Sequence, residues 1–329
     1  MFDGKKVLIT GGTGSLGTAL VKKILETDAD TIRIFSRDEW KQVQMRSKLS
    51  DKRLRFFIGD VRDKERLSRS LEDVDIVIHA AALKHVPVIE YNPFEAVKTN
   101  VYGTQNLIDG CLENNVKIAL AVGTDKAVSP LNTYGATKLL MERLFVSANH
   151  YRGFHDTKFS CVRYGNVLGS RGSLVPTLVE QVRSGKKITI TDPEMTRFNI
   201  TMDEALGLIF RAISKGVGGE IFIPKIKAYK VGDMKDVILE LLNSKTETEI
   251  ISIRPGEKIH ESLIIKDELK NTYENNDDYV IFDKQTQDHE LLPEFQLSNL
   301  SGQYSSDKVK LLSKEELKQI LTTEKLITS

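Results

Sequence analysis

The sequence is poor in cysteine, carries almost no net charge and has no long apolar run. Its two cysteines, Cys111 and Cys161, lie in apolar segments, which favours reduced core thiols over a disulfide or a metal pair. The 47 basic and 46 acidic side chains give a formal net charge of +1, so the composition predicts no basic surface for nucleic acid or anionic membranes. No apolar stretch approaches the ~18 residues that span a bilayer, and the N-terminus lacks the apolar core of a signal peptide. We therefore expect a cytoplasmic protein that binds neither nucleic acid nor a membrane.

The first half of the chain alternates short apolar strands with helical patterns. Strands are predicted at residues 6–10, 31–36, 54–58, 75–79, 118–123 and 159–163, and helices at residues 16–26, 40–49, 64–71, 93–113 and 133–150. This alternation predicts βαβ units, a parallel sheet and right-handed crossovers that place helices on both faces.

The second half has a looser pattern. Residues 221–224 are predicted as a strand, residues 270–278 as a polar surface loop, and residues 312–322 as a terminal helix with a capping box formed by Ser313 and Glu316. The whole pattern predicts an α/β fold with a Rossmann-like, doubly wound parallel sheet. Residues 1–170 are assigned to a dinucleotide-binding domain that receives late strands from the C-terminal half. Residues 171–329 are assigned to a smaller, interleaved substrate-binding lobe with a C-terminal extension.

A glycine-rich run follows the first predicted strand and opens the first predicted helix. In such a loop the first glycine allows a tight turn, the second lets a pyrophosphate approach, and the third lets the helix pack closely on the strand. The free N–H groups and positive dipole end of the helix then bind the phosphates. The predicted dinucleotide contacts in this run are Gly11, Thr13, Gly14, Ser15, Leu16 and Gly17.

The tip of the second strand predicts which dinucleotide binds. A carboxylate there would select NAD by holding the adenosine ribose 2′-OH. Instead Ser36 and Arg37 come first, and a hydroxyl beside a guanidinium suits a 2′-phosphate, with Lys41 one turn further on. We therefore predict NADP, while Asp38 and Glu39 leave NAD open. Further cofactor contacts are predicted at the ends of the third and fourth strands: Asp60, Val61, Ala80, Ala81 and Ala82.

Tyr134 and Lys138 stand four residues apart on a predicted helix, so they share one face. A phenol has an ordinary pKa of about 10, and a nearby ammonium favours the phenolate. The pair is therefore predicted to take a proton from a hydroxyl during hydride transfer and to contact the cofactor. The preceding strand ends in Thr124, Asp125 and Lys126, and an acid beside a base is what a 1,2-elimination requires. These five residues are the predicted catalytic set.

These motifs make the chain resemble the UDP-N-acetylglucosamine 4,6-dehydratases that invert C5, which are extended short-chain dehydrogenases/reductases of the pseudaminic-acid route. The resemblance runs nearly end to end and includes TGGTGSLG, FSRDE, HAAALKHVP, GTDKAVSPLNTYGATK, VRYGNVLGSRGS, MTRFNIT and RPGEKIHE. It implies UDP-N-acetylglucosamine as substrate, NADP as cofactor and a homo-oligomer. The one departure is Gly123, where the resemblance leads us to expect Ser.

The resemblance also implies roles for six residues outside the catalytic set. Lys84 would contact the sugar or the cofactor ribose, and Asn166 and Arg171 the diphosphate or the sugar. The UDP would be held by Arg197, Arg254 and Glu257, because arginines suit bidentate phosphate contacts and a carboxylate suits a ribose hydroxyl. No metal is predicted.

Other functions share parts of this pattern. A UDP-sugar 4-epimerase would share everything except the elimination, and the Asp125–Lys126 pair argues against it. A C5-retaining dehydratase would differ in the face on which C5 regains its proton, which spacing alone does not reveal. A non-catalytic NADP-binding regulator would not need Tyr134 and Lys138. Loss of water from the substrate separates the dehydratases from the epimerase, and absence of turnover would favour the regulator.

Overall fold

The computed structural model describes residues 1–283 and 292–327, and this part of the chain contains seventeen strands and eleven α-helices. The strands are β1 (Lys6–Thr10), β2 (Thr31–Ser36), β3 (Leu54–Ile58), β4 (Ile76–His79), β5 (Ile118–Val122), β6 (Lys158–Val162), β7 (Asn166–Val167), β8 (Ile188–Ile190), β9 (Thr196–Ile200), β10 (Ile221–Pro224), β11 (Ala228–Lys230), β12 (Thr248–Ile250), β13 (Ser262–Ile264), β14 (Thr272–Glu274), β15 (Asp278–Ile281), β16 (Gln296–Leu297) and β17 (Tyr304–Ser305).

Most helices lie between successive strands. They are α1 (Ser15–Leu25), α2 (Glu39–Lys48), α3 (Lys64–Leu71), α4 (Val86–Tyr91), α5 (Pro93–Ala96), α6 (Gly103–Glu113), α7 (Thr133–Tyr151), α8 (Leu174–Arg183), α9 (Met202–Lys215), α10 (Val231–Leu241) and α11 (Lys314–Thr323). Helix α11 begins with the predicted capping box, in which Ser313 and Glu316 bind each other's backbone N–H groups. Within residues 1–283 and 292–327, no helix is both long and apolar enough to cross a bilayer.

Ten strands form one large sheet in the order β16-β14-β15-β10-β6-β5-β4-β1-β2-β3. The strands from β3 to β10 pair in parallel, and β15, β14 and β16 continue the sheet in antiparallel pairs. The order β3-β2-β1-β4-β5-β6 is that of dinucleotide-binding sheets, which confirms the predicted fold class. It also brings the carboxyl ends of β1, β2, β4 and β5 to one edge, where ligands of such sheets bind.

Apolar side chains alternate between the two faces of the large sheet and build a core on each. Val7 and Ile9 belong to one apolar cluster, whereas Leu8 between them belongs to the other. Cys111 and Cys161, both buried and free as predicted, lie in the second cluster. A third cluster lies away from the large sheet and joins α8, β8, α10 and α11. We call the elements that this cluster joins the smaller lobe, and together with the carboxyl edge of the sheet they line one cleft.

Two sequence-based predictions of local structure were wrong. Residues 270–278 are not one surface loop, because Thr272–Glu274 is strand β14 and Asp278 begins β15. Asp278 is buried and paired with Arg211 at 2.6 Å. The polar pattern therefore concealed two strands, of which β15 pairs with the distant β10 and β14 pairs with β15. Residues 93–113 are not one α-helix, since a π-helical segment, Val97–Tyr102, separates α5 from α6.

Candidate active site

The glycine-rich loop joins the end of β1 to the start of α1. Gly11 has φ +65°, and a Cβ there would lie 2.9 Å from the backbone oxygen of Ala80. A Cβ on Gly17 would lie 2.5 Å from the oxygen of Gly11. Any side chain at these two positions would therefore collide with backbone. Helix α1 begins after Gly14 with no side chain capping it, so its first N–H groups and its dipole are available to a phosphate.

Arg171 lies across this glycine-rich loop. Its guanidinium donates to the backbone oxygen of Thr13 at 2.8 Å, and its backbone N–H donates to Ser15 Oγ at 3.3 Å. Lys84 contacts Arg171 in turn, because its Nζ donates to the backbone oxygen of Arg171 at 3.0 Å. The resemblance put Arg171 among the substrate contacts, whereas the structure places it on the cofactor loop. Positive φ values at Gly169 and Gly172 turn the chain back over that loop.

The tip of β2 presents Arg37 and Lys41 to the cleft in different ways. Arg37 is half exposed and its nearest anion is Asp60 at 3.6 Å. Asp38 instead caps α2, accepts the backbone N–H of Lys41 and pairs with Lys41 Nζ at 2.6 Å. Because Asp38 is engaged in this way, it is a poor candidate for holding a ribose 2′-OH. Arg37 is the side chain at this tip with the greater freedom to bind a phosphate.

The ends of the third and fourth strands line the same cleft with smaller groups. Asp60 binds Arg62 at 2.7 Å as well as Arg37, so its carboxylate is already engaged by two arginines. Val61 fills the space that a side chain at Gly103 would need. The backbone of Ala80 contacts Gly11, and Ala80, Ala81 and Ala82 leave the cleft open beside the glycine-rich loop.

Tyr134 and Lys138 occupy the first turns of α7, which Asn132 caps by accepting the N–H of Gly135 at 2.8 Å. Both side chains are buried. Burial raises the pKa of Tyr134 to about 12, and the main cation that opposes this rise is Lys126. Lys138 instead donates to the backbone oxygen of Val122 at 2.6 Å, and burial lowers its pKa to about 8. In the free chain Lys126 is therefore a cation that favours the phenolate, a role that the spacing predicts for Lys138.

Thr124, Asp125 and Lys126 form a buried cluster at the end of β5. Asp125 Oδ1 accepts from Thr124 Oγ1 at 2.9 Å and from Lys126 Nζ at 2.9 Å. Lys126 Nζ also donates to Asn166 Oδ1 at 3.1 Å and lies 3.4 Å from Glu261 Oε1. An ammonium has three donors, and these three acceptors match them. Glu261 is thus a member of the cluster that the sequence analysis did not select, although it ends the RPGEKIHE motif.

The charges of this cluster shift its pKa values in different directions. Burial alone lowers the pKa of Lys126, but the two carboxylates outweigh burial and raise it above its ordinary value. Burial, with Glu261 adding to it, raises the pKa of Asp125 despite the pairing with Lys126. Burial also acts to raise the pKa of Glu261, but Lys126 and Arg197 bring it below its ordinary value. In the free cluster Lys126 therefore holds its proton tightly, and of the two carboxyl groups Asp125 is the one whose pKa is raised.

The remaining predicted substrate residues lie on the opposite wall, formed by the smaller lobe. Arg197 is buried, donates to the backbone oxygens of Thr196 and Ile259, and lies 3.6 Å from Glu257. Arg254 is exposed, and its backbone N–H donates to Glu257 at 3.3 Å. Asn132 donates to the backbone oxygen of Gly256 at 2.9 Å. This last contact ties the Arg254–Glu257 loop to the start of the catalytic helix.

The structure explains why residue 123 is Gly123 and not the serine that the resemblance led us to expect. A Cβ at this position would lie 2.4 Å from Glu142 Oε1 and 2.6 Å from the backbone oxygen of Val162. Glu142 is itself fixed by a fully buried ion pair with Arg163 at 2.8 Å. The expected serine therefore has no room here, and the glycine accommodates a buried salt bridge directly behind the reaction centre.

All the predicted site residues except Asp125 line a single cleft of about 1420 Å³. Asp125 lies just behind its wall, 1% exposed. A site for one small ligand has about 300–1,000 Å³, so this cleft has room for a dinucleotide and a second ligand. Its cofactor half is formed by the glycine-rich loop and the tip of β2, and its other half by Asn166, Arg197, Arg254 and Glu257.

This fold and this site define an extended short-chain dehydrogenase/reductase, an enzyme class that works with a nicotinamide cofactor. The chain belongs to the polysaccharide biosynthesis protein family, whose profile matches residues 7–283.

Individual relatives are similar over most of the chain. An inverting UDP-N-acetylglucosamine 4,6-dehydratase of Campylobacter jejuni (subsp. jejuni serotype O:23/36, strain 81-176) is 50% identical over 283 residues, 85% of this chain and 84% of that protein. A UDP-glucose 4-epimerase of Rickettsia rickettsii (strain Sheila Smith) is 39% identical over 331 residues, 98% of this chain and 97% of that protein. The X-ray structure of Pen from Bacillus thuringiensis is 38% identical with a TM-score of 0.94, and the match covers 99% of this chain and 100% of that one.

Proposed function

We propose that this enzyme is an NADP-dependent UDP-N-acetylglucosamine 4,6-dehydratase that inverts C5. Its product would be UDP-2-acetamido-2,6-dideoxy-β-L-arabino-hex-4-ulose. The observation that carries the proposal is the pair of buried Asp125 and partly buried Lys126 beside Tyr134. An oxidation site with an acid and an amine next to it is what an elimination beside a new ketone needs. The Campylobacter relative named for this reaction supports the choice of substrate.

The residues of the cofactor half suit NADP. The glycine-rich loop and the uncapped start of α1 would hold the pyrophosphate, with Arg171 over it, and Arg37 would hold the 2′-phosphate. When bound, the nicotinamide accepts hydride from C4 of the sugar and returns it at C6, so it is not consumed. Lys138 would turn from the Val122 backbone oxygen to the nicotinamide ribose.

Tyr134 would take the proton of the C4 hydroxyl. Its phenol is buried, so it needs a nearby cation to ionise, and Lys126 supplies that charge. Thr124, which contacts the phenol and donates to Asp125, would align the hydroxyl being oxidised. The resulting 4-ketone acidifies the proton at C5.

Asp125 and Lys126 would then carry out the elimination. Asp125, whose pKa is raised by its burial and by Glu261, would be the source of the proton for the departing C6 hydroxyl, from its place just behind the cleft wall. Lys126 is an ammonium in the free chain and lines the cleft, so it must release a proton to the solvent of the cleft before it can remove the proton at C5. Neither Asp125 nor Lys126 takes the C4 proton itself, although the charge of Lys126 assists the ionisation of Tyr134.

A UDP-sugar 4-epimerase is the second candidate, because relatives with that name cover nearly the whole chain. An epimerase returns hydride to C4 and loses no water, so it has no use for a protonated carboxyl beside the sugar. Incubation with UDP-N-acetylglucosamine and NADP+, followed by mass spectrometry and proton NMR of the sugar, separates the two. We expect loss of one water and a new C6 methyl signal. A product of unchanged mass with inverted C4 would establish the epimerase instead.

Arg37→Ala is expected to weaken NADP+ binding by roughly tenfold to a hundredfold while leaving NAD+ binding nearly unchanged. A hydrogen bond to a charged group contributes about 1.5–3 kcal/mol, and only NADP+ carries the phosphate that Arg37 would bind. Fluorescence titration with both cofactors measures the ratio. Arg62→Ala is the matched control, because Arg62 pairs with the same Asp60 but does not line the cleft. An equal loss for both cofactors in Arg37→Ala would refute the 2′-phosphate assignment.

Reaction in deuterium oxide is expected to place one solvent deuteron at C5 of an L-arabino product. Inversion requires that the proton removed by Lys126 is not the one returned, because C5 must be reprotonated from the opposite face. A deuterium label at C4 of the substrate should reappear in the C6 methyl group, since transferred hydride does not exchange with water. NMR of product trapped early measures both labels before the 4-ketone epimerises by itself. A D-xylo product at early times would contradict inversion and leave the dehydratase proposal intact.

We also propose a cytoplasmic homo-oligomer. Large apolar side chains are exposed on the helices around the active-site helix: Val88 and Tyr91 on α4, Phe94 on α5 and Leu140 on α7. Exposed large apolar side chains on helices that pack against one another favour a protein interface. Sedimentation velocity of the purified chain measures the number of subunits.

A further inference from the structure

Two buried carboxylates share the single ammonium of Lys126. Asp125 and Glu261 are 1% and 4% exposed, and each places one oxygen within 3.4 Å of Lys126 Nζ. The other oxygen of each, Asp125 Oδ2 and Glu261 Oε2, is buried and has no hydrogen-bond partner among the described residues. A buried carboxylate oxygen without a donor is costly when the group is ionised. Protonation of one of the two carboxylates, while Lys126 keeps its own protons, lowers this cost.

We propose that Glu261 is the positioning residue that keeps Asp125 protonated, and thereby able to act as the acid of the elimination. Glu261 shares the ammonium of Lys126 with Asp125, and its charge opposes ionisation of Asp125. This inference rests on the proposed dehydratase function. It assigns to Glu261 no contact with the sugar and no proton transfer of its own.

The backbone around Glu261 holds its carboxylate at this place. The backbone N–H of Glu261 donates to Ser306 Oγ at 2.9 Å, and its backbone oxygen accepts the N–H of Ser306 at 2.8 Å. Asp125 is fixed independently, since its backbone N–H donates to the oxygen of Tyr164 at 3.0 Å. Two elements far apart in sequence thus hold two carboxylates on one ammonium.

The other charged and titratable groups around the cluster do not change which of the two carboxyl groups has the raised pKa. Lys258 and Arg197 act on Glu261 and favour its ionised form, and Lys258 acts on Asp125 as well. Arg197 is itself paired with Glu257. Tyr134 and Tyr229 face Asp125, and burial raises the pKa of each to about 12, so both are neutral below that range. Of the two carboxyl groups, Asp125 is the one whose pKa is raised, with Lys126 as its main cation and the charge of Glu261 against its ionisation.

Glu261→Gln is expected to move the alkaline limb of the dehydration rate to lower pH by about one to two units, because a carboxyl group loses a like-charge neighbour. At neutral pH kcat should fall roughly tenfold to a hundredfold, recover as the pH is lowered, and leave KM nearly unchanged. Transient cofactor reduction should persist, because Tyr134 acts before Asp125. Glu261→Asp retains the charge and should keep the limb near its wild-type position.

Glu220→Gln is the matched control for removing a buried carboxylate. Glu220 is fully buried at the amino end of β10, on the opposite edge of the sheet, and accepts the backbone N–H groups of Val217 and Gly218. It should leave the pH profile unchanged. An unshifted profile in folded Glu261→Gln, with wild-type dehydration intact, would overturn the role of Glu261 and leave the dehydratase proposal standing. Failure of the wild-type enzyme to dehydrate the substrate would instead overturn the dehydratase proposal.

Infrared spectroscopy tests the same inference without turnover. The wild-type enzyme at neutral pH should show the band of a protonated carboxyl group, and Asp125→Asn should remove it. Glu261→Gln should remove that band at neutral pH and restore it at lower pH. Absence of any Asp125-dependent band in the wild-type enzyme would overturn the proposal even if Glu261→Gln did not fold.

Discussion

Replacing Tyr134 by Phe is expected to abolish reduction of the bound cofactor and, with it, every later step of the reaction. Removal of a positioned acid–base group typically costs about 10²–10⁴-fold in rate, and the proposed mechanism gives the C4 proton to Tyr134 alone. The ring would still pack against Ile89 and Ala96, so the fold should be retained. Stopped-flow absorbance of the reduced nicotinamide in a single turnover measures the first step directly.

Tyr151→Phe is the control for this experiment. Tyr151 lies at the end of the same helix, is half exposed and does not line the cleft. We expect wild-type rates from it. If Tyr134→Phe still reduced the cofactor at a rate near that of the wild type, another group would have to be the base of the oxidation.

The second large effect is expected from Lys126→Arg, which should keep the oxidation and lose the dehydration. Arginine retains the positive charge between Asp125 and Glu261 and beside Tyr134, but it does not give up a proton in proteins. Cofactor reduction should therefore appear in a single turnover, whereas formation of the dehydrated product should fall by about 10²–10⁴-fold. Mass spectrometry of the quenched sugar, beside the absorbance trace, distinguishes the two steps.

Lys126→Met is the complementary variant, because it removes the base and the charge together. It leaves two buried carboxylates without their cation, and breaking a buried ion pair typically costs about 3–5 kcal/mol. We expect a lower melting temperature and slower cofactor reduction, because Tyr134 loses the ammonium that assists its ionisation. Full dehydration by Lys126→Arg would show that Lys126 is not the base at C5.

The sequence by itself determined the features that depend on neighbouring residues. Alternation of strands and helices sets the parallel sheet, and the position of the glycine-rich run between β1 and α1 sets the cofactor half of the cleft. Helix geometry alone predicts that Tyr134 and Lys138 share one face of a helix, and strand geometry alone predicts which side chains follow the end of β2. These predictions were accessible because each depends on a few residues close together in the chain.

Only the tertiary structure decided which distant groups meet. Glu261 joins Lys126 and Asp125 because the smaller lobe folds back on the end of β5. Arg171 lies on the glycine-rich loop because its own loop turns at two glycines, and Gly123 is required because Glu142 and Arg163 are buried behind it. Strand β15 forms within a polar segment because β10 is available to pair with it, and β14 then pairs with β15. In each case packing between residues far apart in the chain decides which charges meet and how much room a side chain has. Local periodicity carries information on neither.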